Sequence, residues 1–268
     1  MAENVLNAAE NPAQANDLIA KALADTTPIE PAKITAPADV VVDLPGGLVL
    51  GGEVIKTAVV RELNGRDEEA IIRADNTPRM FNVIVNRGTV SLGDRAAKEE
   101  DLDRLLVGDR DALLLGIYRA TFGETAELAG YCEGCREFKA VEVSVLTDIK
   151  TKILPDARET AFTVKGKTKE FLVTLPTGHT QKKLLANPEA TAAESMTTLL
   201  ENTVLQIDGN PVFGKSQIQA LGVLDRRAIG DAIADRNPGP QFDDISVTCP
   251  DCESEVSVPI SLGALFRF

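Results

Sequence analysis

Apolar residues recur at helical spacing after Gly108-Asp109-Arg110, where Leu113, Leu114, Ile117 and Tyr118 share one face. A second helix is predicted after Leu224-Asp225-Arg226, with Ile229 and Ile233 on its apolar face. Asp109 and Asp225 suit N-caps, because a short carboxylate accepts the free backbone N–H groups of a first turn. Gly123 and Gly239 then break the two helices. Each break is followed by a short strand, Glu127 to Tyr131 or Ile245 to Val247, and later by an alternating one, Phe138 to Leu146 or Glu255 to Ile260. Acidic runs at Asp67-Glu68-Glu69 and Glu99-Glu100-Asp101 read as helix starts, where negative charge meets the positive end of the dipole. Leu102, Leu105 and Leu106 follow the second run as a core face.

The pattern looks duplicated. Asp43-Leu44-Pro45-Gly46-Gly47 has an expected counterpart in Thr174-Leu175-Pro176-Thr177-Gly178, and Asn82 to Gly88 in Asn202 to Gly209. Two similar units facing each other across a pseudo-twofold axis are expected. The predicted fold class is α+β: two divergent copies of a helix plus small-sheet unit, residues 41–150 and 151–268, joined at a four-cysteine zinc-ribbon-like site. Residues 1–40 precede them as an extended, flexible N-terminal arm. A short amphipathic helix is expected around Asp17 to Leu23, with Leu18, Ile19 and Leu23 on one side. Thr26 to Asp39, with Pro28, Pro31 and Pro37, reads as an extended linker. Disorder and docking on a partner are the two readings of this arm.

Both predicted units end in a cysteine pair, and the two pairs hold all four cysteines of the chain: Cys132-Glu-Gly-Cys135 and Cys249-Pro-Asp-Cys252. From Asp109 to Cys132 is 132 − 109 = 23 residues, and from Asp225 to Cys249 is 249 − 225 = 24. Two C-x-x-C pairs form the ligand set of a closed tetrahedral zinc site, with no open position for substrate or water. One zinc per chain, held by Cys132, Cys135, Cys249 and Cys252, is the expectation; local disulfides or free thiols are the alternative. A glycine often follows the second cysteine of such knuckles to relieve strain. Here Arg136 and Glu253 stand there.

Composition narrows the function classes. The chain has 268 residues, no Trp and a net charge of −13, a field that repels phosphate backbones and disfavours nucleic-acid binding. The start Met1-Ala-Glu-Asn-Val lacks the basic and apolar regions of a signal peptide, and no apolar run reaches a membrane span. An intracellular protein with reduced thiols is expected. The lone histidine, His179, follows a turn without a visible partner and reads as solvated or capping. No phosphate-binding or dinucleotide motif is present, and a non-enzymatic role is expected. The apolar tail, with Leu265, Phe266 and Phe268, either packs on its own domain or makes an assembly contact.

Leu44-Pro45-Gly46, Gly108-Asp109-Arg110-Asp111, Arg119-Ala120-Thr121-Phe122-Gly123, both cysteine pairs and the aromatic end resemble, over roughly residues 40–268, the baseplate hub-assembly proteins of T-even-type contractile phages and phage-tail-like particles. The resemblance implies a structural or assembly component of a tail baseplate hub, a protein–protein adaptor whose partners are other tail and baseplate proteins. It places the chain in the host cytoplasm during assembly, or in the virion baseplate. The rival expectation is a zinc-ribbon adaptor or regulator of transcription or nucleic-acid machinery, which calls for a basic face beside the cysteines. Arg136 and Lys139 are outnumbered there by Glu137, Asp251, Glu253 and Glu255.

Overall fold

A computed structural model of the chain describes residues 11–24, 39–74, 76–243 and 245–266, with the side chains of 22–24 left aside. The chain divides into two compact units, Met1–Ala36 and Pro37–Phe268. The first contains α1 (Pro12–Ala24), which includes the predicted short helix and exposes Leu18 and Ile19. The predicted linker lies outside the described residues except at Asp39. The second unit holds both predicted repeats in one body.

That body begins with β1 (Val40–Leu50), β2 (Glu53–Val60), α2 (Gly65–Ile72), α3 (Thr77–Gly88), β3 (Thr89–Leu92), β4 (Arg95–Ala96), α4 (Glu99–Arg104) and α5 (Val107–Phe122). A hairpin follows, β5 (Thr125–Cys132) and β6 (Glu137–Ser144). After β7 (Thr151–Lys152) come β8 (Ala161–Lys165), β9 (Glu170–Thr174), α6 (Gly178–Leu185), α7 (Ala192–Thr203), β10 (Val204–Ile207), β11 (Asn210–Pro211), α8 (Lys215–Gln219) and α9 (Val223–Arg236). The chain closes with β12 (Gly239–Pro240), a second hairpin of β13 (Ile245–Thr248) and β14 (Glu255–Val258), and the single turn α10 (Leu262–Leu265). The fold is mixed, with helices and strands throughout. Every strand pairing among the described residues is antiparallel.

One succession of elements recurs: two strands, two helices, two strands and two helices leading to a cysteine hairpin, with β12 set before the second hairpin. The sheets β1-β2-β3-β4 and β8-β9-β10-β11 have the same internal order. α2 and α6 are both 8 residues long, and α3 and α7 both 12. The correspondence of the predicted Pro-Gly strings fails. Leu44-Pro45-Gly46 lies inside β1, whereas Pro176-Thr177-Gly178 leads into α6, with Thr177 as its N-cap. Asn82 to Gly88 lies within α3, whereas Asn202 to Gly209 runs from α7 through β10 to a turn. Short turn-like strings mark a bend without fixing which bend it is.

Asp109 and Asp225 also act differently from the expected N-caps. The caps are Leu106 and Gly222, so each aspartate is the third helical residue. Each reaches across to the first hairpin of its own half. Asp109 accepts from the Gly46 N–H at 2.6 Å and Asp225 from the Lys167 N–H at 2.6 Å. The next residue is an arginine in both helices. Arg110 donates to the Leu102 carbonyl and to Asn82 of α3; Arg226 donates to the Ile218 carbonyl and to Thr197 of α7. An Asp-Arg pair thus ties each helix to a hairpin ahead of it and to two helices beside it.

Two hydrophobic clusters fill the body. The larger joins β1–β3, α3 and α5 to both cysteine hairpins and to Leu265 and Phe266. The smaller, from Val164 to Ile233, belongs to β8–β10 and α7–α9. The second hairpin therefore leaves the half that precedes it and completes the core of the first. Its order in the sheet, β13-β14-β5-β6, sets the two hairpins side by side in the same sense. A shift of two strands relates them, not the expected pseudo-twofold axis.

Candidate metal centre

The centre is built from the turns of the two hairpins. In the first, Cys132 ends β5 opposite Glu137, and the Arg136 N–H donates to the Cys132 carbonyl at 2.7 Å. In the second, the Glu253 N–H donates to the Cys249 carbonyl at 3.1 Å. Arg136 and Glu253 both take φ 61, the left-handed conformation that glycine adopts most cheaply. The knuckle backbone is thus formed at both positions despite the missing glycines. Each departure costs of order 1 kcal/mol.

β14 pairs with β5, Val256 opposite Cys132, which places both knuckles at one end of one sheet. The sulfur of Cys132 lies 3.5 Å from that of Cys252, and Cys135 lies 3.8 Å from Cys249. All four sulfurs fall within 4.8 Å of one another. Four thiolates at the zinc–sulfur bond length of about 2.3 Å form a tetrahedron with edges of about 3.8 Å. The cluster therefore fits a single metal ion. None of the four cysteines is in a disulfide.

Close packing and charge hold the knuckles together. A Cβ on Gly134 would stand 2.5 Å from the Ser254 Oγ and 2.9 Å from the Cys252 Sγ, so any larger residue there requires one of those side chains to shift. Lys139, on β6, pairs with Glu137 beside it and reaches Asp251 of the second knuckle at 2.5 Å. Hydrogen bonds from Ser254 hold the Cys252 thiol down to about 6. Hydrogen bonding to Cys252 and desolvation push Cys135 up to about 12. A divalent ion would exchange thiol protons for bonds to sulfur. Cys132 and Cys249 are buried, while Cys252 is exposed.

The four cysteines named from the sequence are thus brought together. Gly134 and Ser254 were not singled out, and Lys139 was weighed only for its charge, since their roles depend on a contact between segments more than a hundred residues apart. Leu265 and Phe266 are buried at 7% and 3% exposure, with the Phe266 ring edge-on to Tyr118 at 5.6 Å and to Phe81 at 6.0 Å. As placed, they face the core of their own chain and not the surface an assembly contact requires. Phe268 lies outside the described residues. His179 is exposed on the first turn of α6. No helix among the described residues is long and apolar enough to cross a membrane. The chain matches no family model, no curated protein and no solved structure.

Proposed function

We propose that the protein is a non-enzymatic adaptor, a structural or assembly component of a phage or phage-like tail baseplate hub, stabilised by one structural zinc. The observation that carries the structural role is the closed set of four sulfurs at the base of the loop 136–248. A metal held by Cys132, Cys135, Cys249 and Cys252 has no position left for substrate, and its contribution is folding energy. The loop it closes contains the whole second hydrophobic cluster, so the metal would fix where that lobe leaves and rejoins the first core. Placement in a baseplate hub rests on the sequence resemblance over residues 40–268.

The same reading includes an internal duplication. Its support is the repeated element order, the shared sheet order and the paired roles of Asp109-Arg110 and Asp225-Arg226. The second copy would have donated its terminal hairpin to the core of the first.

The test is co-expression with tail and baseplate proteins of a contractile phage, using the full chain and a variant lacking residues 1–39. The full chain is expected to co-purify with a tail component, and the deletion to weaken that association through loss of exposed Leu18 and Ile19. Failure of the full chain to associate with any of them would overturn the adaptor role.

A further inference from the structure

We infer that the outward face of the metal-bearing sheet docks a basic, extended segment of a partner protein, an inference that rests on the adaptor role and specifies its surface. The register fixes which residues point outward. Tyr131 stands opposite Phe138, Ala129 opposite Ala140, Glu127 opposite Glu142 and Thr125 opposite Ser144. On the other side Ser257 pairs with Tyr131, and Glu255 with Thr248. The alternate positions Ala126, Leu128, Cys132, Val141, Val143, Val256 and Val258 are buried in the core. The outward positions carry three carboxylates, two aromatic rings and neither lysine nor arginine.

Three features select the occupant. Phe138 is 73% exposed and Tyr131 45%, with ring centroids 5.4 Å apart edge-to-face. Such a pair offers apolar area and ring faces that attract cations. Glu127 and Glu142 form a like-charge cross-strand pair, which is disfavoured unless a cation joins it. Neither has an ion-pair partner within 4.0 Å among the described residues. Lys139 cannot serve, because it lies on the other face and is tied to Glu137 and Asp251. Between carboxylates and rings lie only the methyl groups of Ala129 and Ala140. Side chains on one face of a strand repeat about every 7 Å, so a bound strand can set a base over the glutamates and an apolar side chain against the rings. The net charge of −13 favours the same sign of partner at long range.

The probe is a fluorescein-labelled peptide of the repeat Lys-Thr-Thr-Thr-Leu-Thr-Thr-Thr, which sets lysine and leucine on one strand face about 14 Å apart to match the glutamates and the rings, titrated against the full-length chain by anisotropy, with glutamate replacing lysine in its control. Binding of the basic peptide alone is expected. Glu127→Gln with Glu142→Gln should weaken it about tenfold, and Tyr131→Ser with Phe138→Ser by a similar factor. The remote exposed pair Glu189→Gln with Glu201→Gln should change it by less than about twofold, since screened distant charges act weakly. Equal weakening by the remote pair, or none by either face pair, overturns the inference. Melting curves provide a check on folding: the Glu127/Glu142 variant should melt no lower than the parent, because it relieves a repulsion. Co-expression separates this inference from the adaptor role. Equal co-purification of parent and face variants refutes the docking face and leaves the adaptor intact. Absence of any co-purifying tail protein refutes the adaptor, while the peptide titration still decides the face.

Discussion

Helices α5 and α9 occupy the same place in the two successions and are treated in opposite ways. α5 buries ten of its sixteen residues, and α9 three of its fourteen. Both keep Asp-Arg at the third and fourth positions, bonded to equivalent elements. The flanking residues diverge. At the second position, Gly108 lies under the turn after α9, where an added Cβ would stand 1.6 Å from the Pro238 carbonyl oxygen. Its counterpart Leu224 is 61% exposed. At the fifth position Asp111 is half-buried, whereas Arg227 is exposed. The Asp-Arg pair belongs to the architecture of each half, and its neighbours are set by what covers the helix. α5 is covered because the second hairpin and the turn after α9 pack on the first core.

The largest expected effect comes from undoing that packing. Chelation of the metal, or Cys132→Ser, should cost several kcal/mol, since structural zinc supplies about 10–16 kcal/mol of apparent binding energy. Hydrogen exchange should show β13 and β14 losing protection first, with α7 and α9 affected least. Simultaneous loss in both clusters would contradict the view that the hairpin serves the first core.

Arg110→Ala comes next, at about 3 kcal/mol, because Arg110 is 2% exposed and its loss strands the Leu102 carbonyl, Asn82 and Gln181. Arg226→Ala, at a half-buried site, should cost about 1 kcal/mol by denaturant titration. Gly108→Ala should cost about 2–3 kcal/mol through overpacking, and Leu224→Ala less than about 0.5 kcal/mol at an exposed helical position.

Asp111 sharpens the comparison through pH. Desolvation, opposed by Arg110 and reinforced by Asp109, pushes its carboxyl up to about 7. A folded-state value above the unfolded one, near 4, gives stability that is full below about pH 4 and is lost as pH rises through about 7. The parent should therefore melt higher at pH 5 than at pH 8 by the share of Asp111. Asp111→Asn should remove that share, and Arg227→Gln should not. The smallest effect lies in the knuckles: Arg136→Gly and Glu253→Gly should each raise stability by about 0.5–1 kcal/mol by relieving a left-handed backbone.

Several of these elements were legible in the sequence. The presence of α5 and α9, though not their starts, the breaks near Gly123 and Gly239 and the strands beside each cysteine pair follow from local spacing. The gathering of the four cysteines followed from C-x-x-C spacing alone, because two thiols on a tight turn need two more to complete a metal site. What escaped was non-local. That Asp109 bonds to Gly46, and Asp225 to Lys167, depends on hairpins about sixty residues away, so the strings around Pro45 and Pro176 were matched by look and fell at different bends. The neighbours β14 and β5 are joined across more than a hundred residues, and hydrophobic pattern carries no information on which strands become neighbours. Packing of the tail on its own domain was one of the two readings; that Phe266 meets Tyr118 and Phe81 escaped for the same reason.

The central claim is that four cysteines from two distant hairpins bind one metal within one chain. Elemental analysis with X-ray absorption at the zinc edge, on protein whose mass in solution is known, tests it most directly. One zinc per chain with four sulfur neighbours at about 2.3 Å is the expected result. Oxygen or nitrogen in the coordination shell, a metal shared between chains, or a natively purified protein without metal would contradict it.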